Sequence, residues 1–531
     1  MADFSDKVKE LLIQEGFYID NGKDITLAVL VDNRGCFPGI MATGVKGDGL
    51  RVIGERANII TLPAHGINAN DHDGTIRDLI DGILAGNVFT AAAKLIDGYA
   101  VIGGNFGDET SIGKALERAN APILLHATPD SIDRLTIEGR GDSGCGKHSI
   151  SRYLKDSGHP FTPTYPHAQY VTSDNFIKNL ESFIGTCRIV NSLRYQRIGV
   201  VGTRPRDFYT MAINERGLLS QHIEVVPTNI IDVVREAKSL KKNDDRVEQA
   251  YQRLKNRCDC TGIEDEKVYI QAQFYIAMKD WIQKEHLSAV GIQCWTTIER
   301  ELGTVPCSVM SMLAEDGTPA VCETDVYGAM SAQALYKAAL NPSGLIDLSN
   351  NKFSQDDYER LKEHPLVKEL ERKGYSLEDF YGGFHCGVLP VTMLRKADKS
   401  TGERGTIMEE QPIMGPFVPE GTAVGCCTGN VVAGPLTHLR ISIDGKGNRN
   451  AYIALAEVIE TPVDTFGVRA GIAMKGLNDF LDQVTREGYE HHVAVVPGNV
   501  VRQVREALST YLGFNLLMHP QELQAPGYGL K

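Results

Sequence analysis

Residues 268–292, VYIQAQFYIAMKDWIQKEHLSAVGI, place a helix directly before a buried strand and decide the fold class. In the first part, apolar residues recur every three to four positions, which is the spacing of one helix face. These residues are Ile270, Phe274, Ala277, Met278 and Trp281. The run LSAVGI at 287–292 then has the length and apolar character of a strand. A helix that leads straight into such a strand is typical of an α/β domain.

The same alternation of strand and helix recurs on both sides of this stretch. The other strand-like runs are ITLAVLV at 25–31, ANIITL at 57–62, GYAVIGG at 98–104, PILLHA at 122–127, RIGVVG at 197–202 and HIEVVP at 222–227. After residue 355 the sequence becomes richer in glycine, and residues 437–460 are typical of a hairpin that turns at 444–447. We therefore predict two doubly wound α/β domains, at 1–168 and 169–355, followed by a β-rich C-terminal domain at 356–531.

Bulk properties exclude several classes of protein. The 531 residues exceed what one hydrophobic core supports. A net charge of −13 argues against a nucleic-acid or anionic-membrane partner, because phosphate groups are bound by clustered lysine and arginine. No apolar run reaches the ~18–20 residues of a membrane helix, and residues 1–17 lack the apolar stretch of a secretory signal. The eleven cysteines are scattered, so we expect reduced thiols in a cytoplasmic protein.

Two acidic residues lie at positions that indicate a role in binding a metal or a ligand. Glu323 falls where the apolar run PAVCE gives way to a helical stretch, and open α/β sheets bind ligands at the carboxyl ends of their strands. Asp347 lies inside the apolar run LIDLS, where a charge is costly unless it is paired or binds a metal. A helix-capping acid at position 323 and a salt-bridged aspartate at position 347 are the structural alternatives.

Three histidines are candidate metal or substrate ligands. His491 and His492 open the strand-like run HHVAVV, and neutral imidazole is the commonest metal-binding side chain. One imidazole with oxygen ligands suits Mn²⁺ or Mg²⁺ better than a soft metal. A histidine pair on the surface is the alternative. His385 lies in the glycine-rich stretch GGFHCG and is a further candidate.

The glycine-rich stretch GDSGCGKH at 141–148 has the spacing of a phosphate-binding P-loop. The residue after the lysine of such a loop should be serine or threonine, to hold Mg²⁺, but here it is His148. The stretch also follows several strands instead of the first one. We favour a tight turn that leads into a helix. The alternative is a phosphate-binding loop of a nucleotide-dependent phosphotransferase.

Taken together, these segments resemble the L-fucose isomerase superfamily, which includes the L-arabinose isomerases. The matching stretches cover much of the chain and keep the order and spacing of the family. They are residues 140–143 with 145–147, 202–205 with Phe208 and 214–215, 293–295, 322–325, 384–387, 434–437 and 491–492. The C-terminal region is shorter than in typical L-fucose isomerases, and the flanks of Glu323 differ, which leaves the identity of the sugar open.

The resemblance implies a three-domain, metal-dependent aldose–ketose isomerase. It implies a divalent cation, typically Mn²⁺ and alternatively Mg²⁺ or Co²⁺, held by Glu323, Asp347 and His492, with His491 as the neighbouring choice. Glu323 and Asp347 would also carry the proton between C1 and C2 through an enediol. The family further implies a homo-oligomer, often a hexamer, with active sites near subunit boundaries.

Seven residues are candidate sugar contacts. They are Trp295, Gln293, Phe384, His385, Arg204, Arg206 and His491. The aromatic side chains would pack on the apolar face of the sugar, and the arginines would contact polar or anionic groups. Core packing and domain-interface contacts are the alternatives for Trp295, Phe384 and the two arginines.

Two questions about function remain open at this point. The sugar is either a neutral one of the L-fucose, D-arabinose or L-arabinose kind, or an anionic hexose such as sulfoquinovose. A non-catalytic sugar-binding protein of the same fold is the alternative to an enzyme, although a receptor has no need for carboxylates and histidine at metal-ligand positions.

Overall fold

The computed structural model describes residues 2–63, 74–349, 355–400, 403–460 and 466–519. The chain divides into two compact units, Met1–Asn191 with Arg505–Leu512 and Ser192–Val504 with Gly513–Lys531. The boundaries predicted at 168/169 and 355/356 stay predictions. Within the described ranges, none of the helices has both the length and the apolar content that crossing a membrane requires.

The first unit contains a six-stranded sheet in the order β1-β3-β2-β4-β5-β6, parallel except for β1. Its strands are β1 (Tyr18–Ile19), β2 (Thr26–Val31), β3 (Asn58–Ile60), β4 (Gly98–Ile102), β5 (Ile123–Leu125) and β6 (Thr162–Pro163). Its helices are α1 (Ala2–Gln14), α2 (Gly39–Gly54), α3 (Leu79–Ala91), α4 (Glu109–Ala115), α5 (Ser143–Asp156) and α6 (Asp174–Arg194), of which α6 runs past its end.

Burial on both faces explains the parallel sheet of the first unit. Every residue of β2 is buried. Ala28 and Leu30 belong to one apolar cluster, whereas Leu27 and Val29 belong to another. Successive side chains of a strand point to opposite faces, so both faces of this sheet carry a core. This confirms the α/β prediction for the N-terminal part of the chain.

The second unit begins with a four-stranded parallel sheet in the order β10-β9-β7-β8. Its strands are β7 (Gln196–Val201), β8 (Ile223–Thr228), β9 (Ala289–Ile292) and β10 (Ala320–Cys322). The helices of this region are α7 (Glu215–Leu219), α8 (Ile230–Ser239), α9 (Asp245–Arg257), α10 (Asp265–Lys284), α11 (Thr297–Leu302), α12 (Cys307–Glu315) and α13 (Val326–Ala339). The helix and strand expected within 268–292 are α10 and β9.

The rest of the second unit is strand-rich, as predicted. A nine-stranded sheet has the order β13-β14-β17-β12-β11-β18-β15-β16-β19. Its strands are β11 (Gly344–Asp347), β12 (Phe380–His385), β13 (Ile407–Glu410), β14 (Val424–Asn430), β15 (Gly434–Ile443), β16 (Arg449–Ile459), β17 (Val468–Ala473), β18 (His492–Pro497) and β19 (Asn515–Met518). The accompanying helices are α14 (Gln355–Leu361), α15 (Pro365–Arg372), α16 (Leu477–Arg486) and α17 (Val501–Arg505). A π-helical segment, Glu506–Tyr511, follows α17 and belongs to the first unit.

Two strand assignments in this sheet bear on the site. β15 and β16 form the hairpin expected around residues 444–447, with Ile443 paired to Arg449. β11, which carries Asp347, pairs antiparallel with β12 and β18 and so lies in the nine-stranded sheet. Asp347 therefore belongs to a different sheet from the strand that precedes Glu323.

Between β7 and α7 the chain forms a short 3₁₀ turn, Tyr209–Met211, and α7 begins only afterwards, because the Asn214 side chain accepts a hydrogen bond from the Gly217 backbone N–H. One expectation from the sequence is wrong. The expectation of reduced thiols fails for Cys258 and Cys427, which form a disulfide with a Cα–Cα distance of 6.5 Å. The other nine cysteines, all of them among the described residues, are not in a disulfide.

Candidate metal centre

Glu323 lies immediately after β10, at the carboxyl edge of the four-stranded sheet. Glu323 and Thr324 both adopt left-handed backbone conformations, with φ of 58° and 55°. Each such non-glycine residue costs about 1–2 kcal/mol, and strain of this kind concentrates at functional sites. The next residue, Asp325, caps α13 by accepting from the Gly328 backbone N–H at 2.8 Å. The capping role that was the alternative for Glu323 therefore belongs to Asp325.

Strand pairing brings Asp347 and His492 together. The two residues are direct partners in the antiparallel register of β11 and β18. Asp347 Oδ1 lies 3.8 Å from His492 Nε2, and Glu323 Oε2 lies 3.9 Å from the same nitrogen. A cation with bonds of about 2.1 Å holds neighbouring donor atoms roughly 3–4 Å apart. Both carboxylates thus approach the same nitrogen, whereas the set of donor atoms that lie mutually within 4.8 Å is that of Glu323, His491 and His492. The role of Glu323, Asp347 and His492 as ligands stays a prediction.

The chemistry of Glu323 fits a bound cation. Its Oε2 is buried and has no hydrogen-bond partner among the described residues. Burial raises the pKa of Glu323 to about 7; His492 opposes this shift, and the Asp347 and Asp325 carboxylates add to it. A buried carboxylate oxygen without a donor is costly unless a positive charge compensates it. A divalent ion beside Oε2 would supply that charge.

His492 is held in the orientation that a metal ligand needs. Its Nδ1 faces Asp325 Oδ2 at 3.0 Å, and an ionised carboxylate accepts the proton of that nitrogen. The lone pair of Nε2 is therefore directed towards Glu323 and Asp347. A carboxylate that fixes the tautomer of a metal-binding histidine is a common arrangement.

Arg440 fixes Asp325 in turn. The guanidinium donates to both oxygens of Asp325, at 2.6 and 3.0 Å, and to Glu490 at 3.0 Å. The Arg440 side chain is fully buried. Burial acts against ionisation of Asp325, but Arg440 and His492 outweigh it and hold the pKa of Asp325 well below its usual range. Sequence reasoning missed Asp325, Arg440 and Glu490 as site residues, yet an arginine inside the apolar run THLRISI was a signal of the same kind as Asp347.

The two adjacent histidines differ in environment. His491 Nε2 lies 3.7 Å from Asp347 Oδ1, and its side chain is 42% exposed. Donor atoms of Glu323, His491 and His492 all lie within 4.8 Å of one another. His492 is buried and oriented by Asp325, whereas His491 is half-exposed at the rim. Burial and the hydrogen bond to Asp325 support His492 as the ligand, and the choice between the two histidines stays a prediction.

The predicted sugar contacts Gln293, Trp295, Arg204 and Arg206 follow β9 and β7 at the same edge of the sheet as Glu323. Gln293 Oε1 accepts from the Thr203 backbone N–H at 2.9 Å, and its Nε2 donates to the Trp295 carbonyl at 2.7 Å. The Trp295 ring contacts those of Phe208 and Phe417, with centroid distances of 5.7 and 6.0 Å.

The Arg204 guanidinium donates to the carbonyls of Pro205 and Arg206, and the Arg206 side chain is exposed. Through its hydrogen bond with Thr203, Gln293 links the loop after β9 to the loop after β7. Direct contact of Gln293, Trp295, Arg204 and Arg206 with a sugar stays a prediction.

Phe384 and His385, also predicted to contact the sugar, lie at the end of β12. Phe384 is opposite Asp347 in the strand register. The His385 ring is buried, lies 5.4 Å from the His492 ring between centroids, and has its Nε2 3.2 Å from Cys322 Sγ. Burial and the neighbouring histidines lower the pKa of His385 well below its usual value. His385 is thus part of the site as a neutral residue, and its contact with a sugar stays a prediction.

The glycine-rich stretch at 141–147 does not have the form of a phosphate loop. α5 begins at Ser143, so the last residues of the motif are already helical. Lys147 is buried, and its Nζ donates to the Thr164 carbonyl, the Thr164 hydroxyl and the His167 carbonyl at 2.7–3.0 Å. The lysine is committed to internal hydrogen bonds, which supports the turn-into-helix interpretation over the phosphotransferase.

Two family models of known proteins match this chain, one in its N-terminal part and one in its C-terminal part. Residues 28–194 match the family model described as fucose/sulfoquinovose isomerase, N-terminal domain, and residues 383–519 match that of the L-fucose isomerase C-terminal domain. A sulfoquinovose isomerase from Alkalicoccus urumqiensis is 26% identical over 409 residues, covering 76% of this chain and 81% of the relative. One from Priestia aryabhattai is 26% identical over 410 residues, with the same coverage of 76% and 81%.

Proposed function

Since this chain belongs to the L-fucose isomerase-like superfamily and is an aldose–ketose isomerase, we propose that it works with a divalent cation held by Glu323, Asp347 and His492. One observation carries the proposal: the buried, unpartnered Oε2 of Glu323 lies 3.9 Å from the Nε2 of His492, which Asp347 Oδ1 approaches to 3.8 Å. Mn²⁺ is the proposed ion, and Mg²⁺ and Co²⁺ are alternatives of similar chemistry.

The proposed reaction moves a proton between C1 and C2 of the sugar through an enediol. A divalent cation in the site would polarise the two sugar oxygens and stabilise the negative charge that develops on them. Glu323 is suited to take the proton from C2 and return it to C1, because its buried Oε2 has no hydrogen-bond partner among the described residues and faces the space beside His492. Asp347, across His492 Nε2, is the second carboxylate and can carry the proton that leaves O2 and is needed at O1.

We propose a sulfonated hexose as the sugar. The relatives at 26% identity are named sulfoquinovose isomerases, which supports an anionic substrate. Arg204 and Arg206, in the loop after β7, are cationic side chains at the same edge of the sheet as Glu323. Guanidinium groups suit the oxygens of an anion better than ammonium groups do, because they donate in a planar fork. L-Fucose, D-arabinose and L-arabinose are the neutral sugars to compare.

Assembly and location complete the proposal. The superfamily resemblance supports a homo-oligomer, with a hexamer as the first expectation, and we propose the cytoplasm as the location of the protein. Sedimentation velocity on the purified chain tests the oligomer, since a hexamer and a monomer of 58.2 kDa subunits sediment at well-separated rates.

The deciding experiment measures isomerisation by NMR with metal-stripped protein, before and after addition of Mn²⁺, on sulfoquinovose and the three neutral sugars. We expect turnover only with metal, and highest kcat/KM on the sulfonated sugar. Sugar binding without turnover under any metal would instead identify a non-catalytic binding protein. Equal turnover in the stripped and reloaded protein would remove the metal from the proposal.

A further inference from the structure

A second set of metal-binding atoms meets at Glu323. The thiols of Cys294 and Cys322 and a carboxylate oxygen of Glu323 all lie within 4.8 Å of one another. Zinc bound by thiolate, with Zn–S bonds of about 2.3 Å, keeps its tetrahedral ligands roughly 3.5–4 Å apart. Two thiols and one carboxylate therefore stand close to the spacing of a three-ligand soft-metal site with one position open.

Adjacent parallel strands create this set. Cys322 ends β10 and pairs in register with Ile292, the last residue of β9. Cys294 follows two residues later, and its thiol lies within 4.8 Å of that of Cys322. Glu323 comes directly after Cys322 and has a left-handed backbone conformation, and its carboxylate lies within 4.8 Å of both thiols. The convergence follows from the two strand ends and does not depend on the nine-stranded sheet.

His385 can donate a hydrogen bond to a metal-bound Cys322 thiolate. His385 Nδ1 accepts from the Cys386 backbone N–H at 2.8 Å, so the neutral ring carries its proton on Nε2. That nitrogen lies 3.2 Å from Cys322 Sγ and donates to the sulfur. Hydrogen bonds from neighbouring groups orient metal ligands and tune their affinity for the metal. Cys294 is half-buried, which gives an ion a route from solvent.

We propose that Cys294, Cys322 and Glu323 form a binding site for a thiophilic divalent ion such as Zn²⁺ or Cd²⁺. The ion takes the place of the two thiol protons, which pass to solvent. Glu323 also belongs to the oxygen-and-imidazole set with Asp347 and His492, so the two sets share one ligand. Thiolate ligands favour soft ions, whereas the carboxylate–histidine set favours hard ones. Zinc or cadmium in the thiol set takes Glu323 from the other set.

Binding of zinc to Cys294, Cys322 and Glu323 is expected to inhibit the enzyme. The inhibition rests on the proposed function, whereas zinc binding itself does not. Added Zn²⁺ would stop Mn²⁺-dependent turnover by occupying the carboxylate that the proposed reaction needs. In Cys294→Ser, which removes a ligand of the thiol set, the inhibitory Zn²⁺ concentration is expected to rise about 10–100-fold.

Cobalt reports the binding without any turnover. Co²⁺ bound to thiolate has a sulfur-to-cobalt charge-transfer band in the near ultraviolet, which oxygen and nitrogen ligands do not produce. Metal-stripped protein, in the absence of sugar, is titrated with Co²⁺ as wild type and as the variants Cys294→Ser, Cys322→Ser, His492→Asn and Cys145→Ser. Cys145 is an exposed thiol on α5 in the first unit and serves as the matched control.

The expected result is a band in wild type, His492→Asn and Cys145→Ser, and its loss in Cys294→Ser and Cys322→Ser. Absence of the band in wild type, its survival in either of the last two variants, or its loss in His492→Asn would overturn the site. Circular dichroism checks each fold, and Cys294→Ser, at a half-exposed position, decides alone if Cys322→Ser does not fold. A thiolate band in a protein without Mn²⁺-dependent turnover would refute the proposed function and leave this site standing.

Discussion

The Arg440 guanidinium holds Asp325 through both carboxylate oxygens, at 2.6 and 3.0 Å, with both side chains out of contact with solvent. Asp325 Oδ2 also faces His492 Nδ1 at 3.0 Å. A chain of charge-assisted hydrogen bonds thus runs from β15 through the start of α13 to β18. This chain explains how a buried histidine is held with Nδ1 towards Asp325 and Nε2 aimed at two carboxylates.

Asp325→Asn tests this positioning role. The amide keeps the shape of the side chain but loses the charge that pairs with Arg440 and orients His492. We expect the affinity for Mn²⁺ to fall about 10–100-fold, as on removal of other partners of metal-binding histidines. Isothermal titration of the metal-stripped protein measures it. The control is Asp482→Asn, which removes the charge of an exposed pair with Arg486 and is expected to leave Mn²⁺ binding unchanged. Equal affinities in both variants would refute the role.

Arg440→Met tests the stability of the buried pair. The change leaves Asp325 and Glu490 without their cation in a buried region. Breaking a buried ion pair by removing one partner costs about 3–5 kcal/mol. Arg486→Met breaks the exposed pair with Asp482 and is expected to leave the stability almost unchanged. Urea unfolding followed by circular dichroism compares the two, and a similar midpoint for both variants would count against the buried pair as a stabilising element.

The adjacent histidines provide a matched pair of substitutions. His492→Asn removes the buried Nε2 that lies 3.8–3.9 Å from Asp347 and Glu323, and we expect loss of tight Mn²⁺ binding. His491→Asn removes a half-exposed ring and is expected to leave Mn²⁺ binding within a few-fold of wild type. Electron paramagnetic resonance of free Mn²⁺ measures both. The reverse order would move the ligand by one residue.

Much of the fold was predictable because local patterns carry it. The buried strands β2, β4 and β7, the amphipathic helix α10 and the β15–β16 hairpin all have apolar patterns of period 2 or 3.6, or continuous apolar runs, that the sequence shows directly. The start of α7 was not predictable in this way, because the Asn214 cap decides it and the preceding turn has no periodicity. Short loop segments depend on individual hydrogen bonds.

The site was predictable only in part. Asp347 was found because a charge inside an apolar run is costly, and Glu323 because of its place at a strand end. The pairing of β11 with β18, which sets Asp347 opposite His492, depends on long-range register between residues far apart in the chain. For the same reason, the links from Arg440 to Asp325 and on to His492 were out of reach of local patterns.

Asp32, at the end of β2 in the first unit, gives a prediction about pH. Burial raises the pKa of Asp32 to about 7, although the backbone N–H groups of Gly104 and Asn105 oppose the shift. Since the pKa is higher in the folded state than in the unfolded one, the stability that protonated Asp32 contributes is present at low pH and is lost as pH rises through about 7. The loss is at most about 4 kcal/mol. Asp32→Asn lacks this loss.

Thermal unfolding at several pH values checks this. The midpoint of Asp32→Asn, relative to wild type, is expected to rise between about pH 4 and about pH 8. The control Asp482→Asn, at an exposed position beside Arg486, is expected to show a flat difference over the same range. A difference for Asp32→Asn that stays constant or falls with pH would contradict the raised pKa.

Substitutions at Glu323 and Glu299 separate two effects on kcat, that of a carboxyl group with a raised pKa and that of its position beside His492. Burial raises the pKa of each to about 7, and each has buried oxygen atoms without hydrogen-bond partners among the described residues. Only Glu323 has a distance to His492 that suits a shared cation.

We expect Glu323→Gln to lower kcat about 10²–10⁴-fold with the fold intact, because it removes the proposed proton carrier. Glu299→Gln, which neutralises an unpaired buried acid, is expected to keep kcat within a few-fold and to unfold at a higher temperature. Comparable losses of kcat in both variants, measured with saturating Mn²⁺ and sulfoquinovose, would show that burial of the acid and not its place beside His492 accounts for the effect.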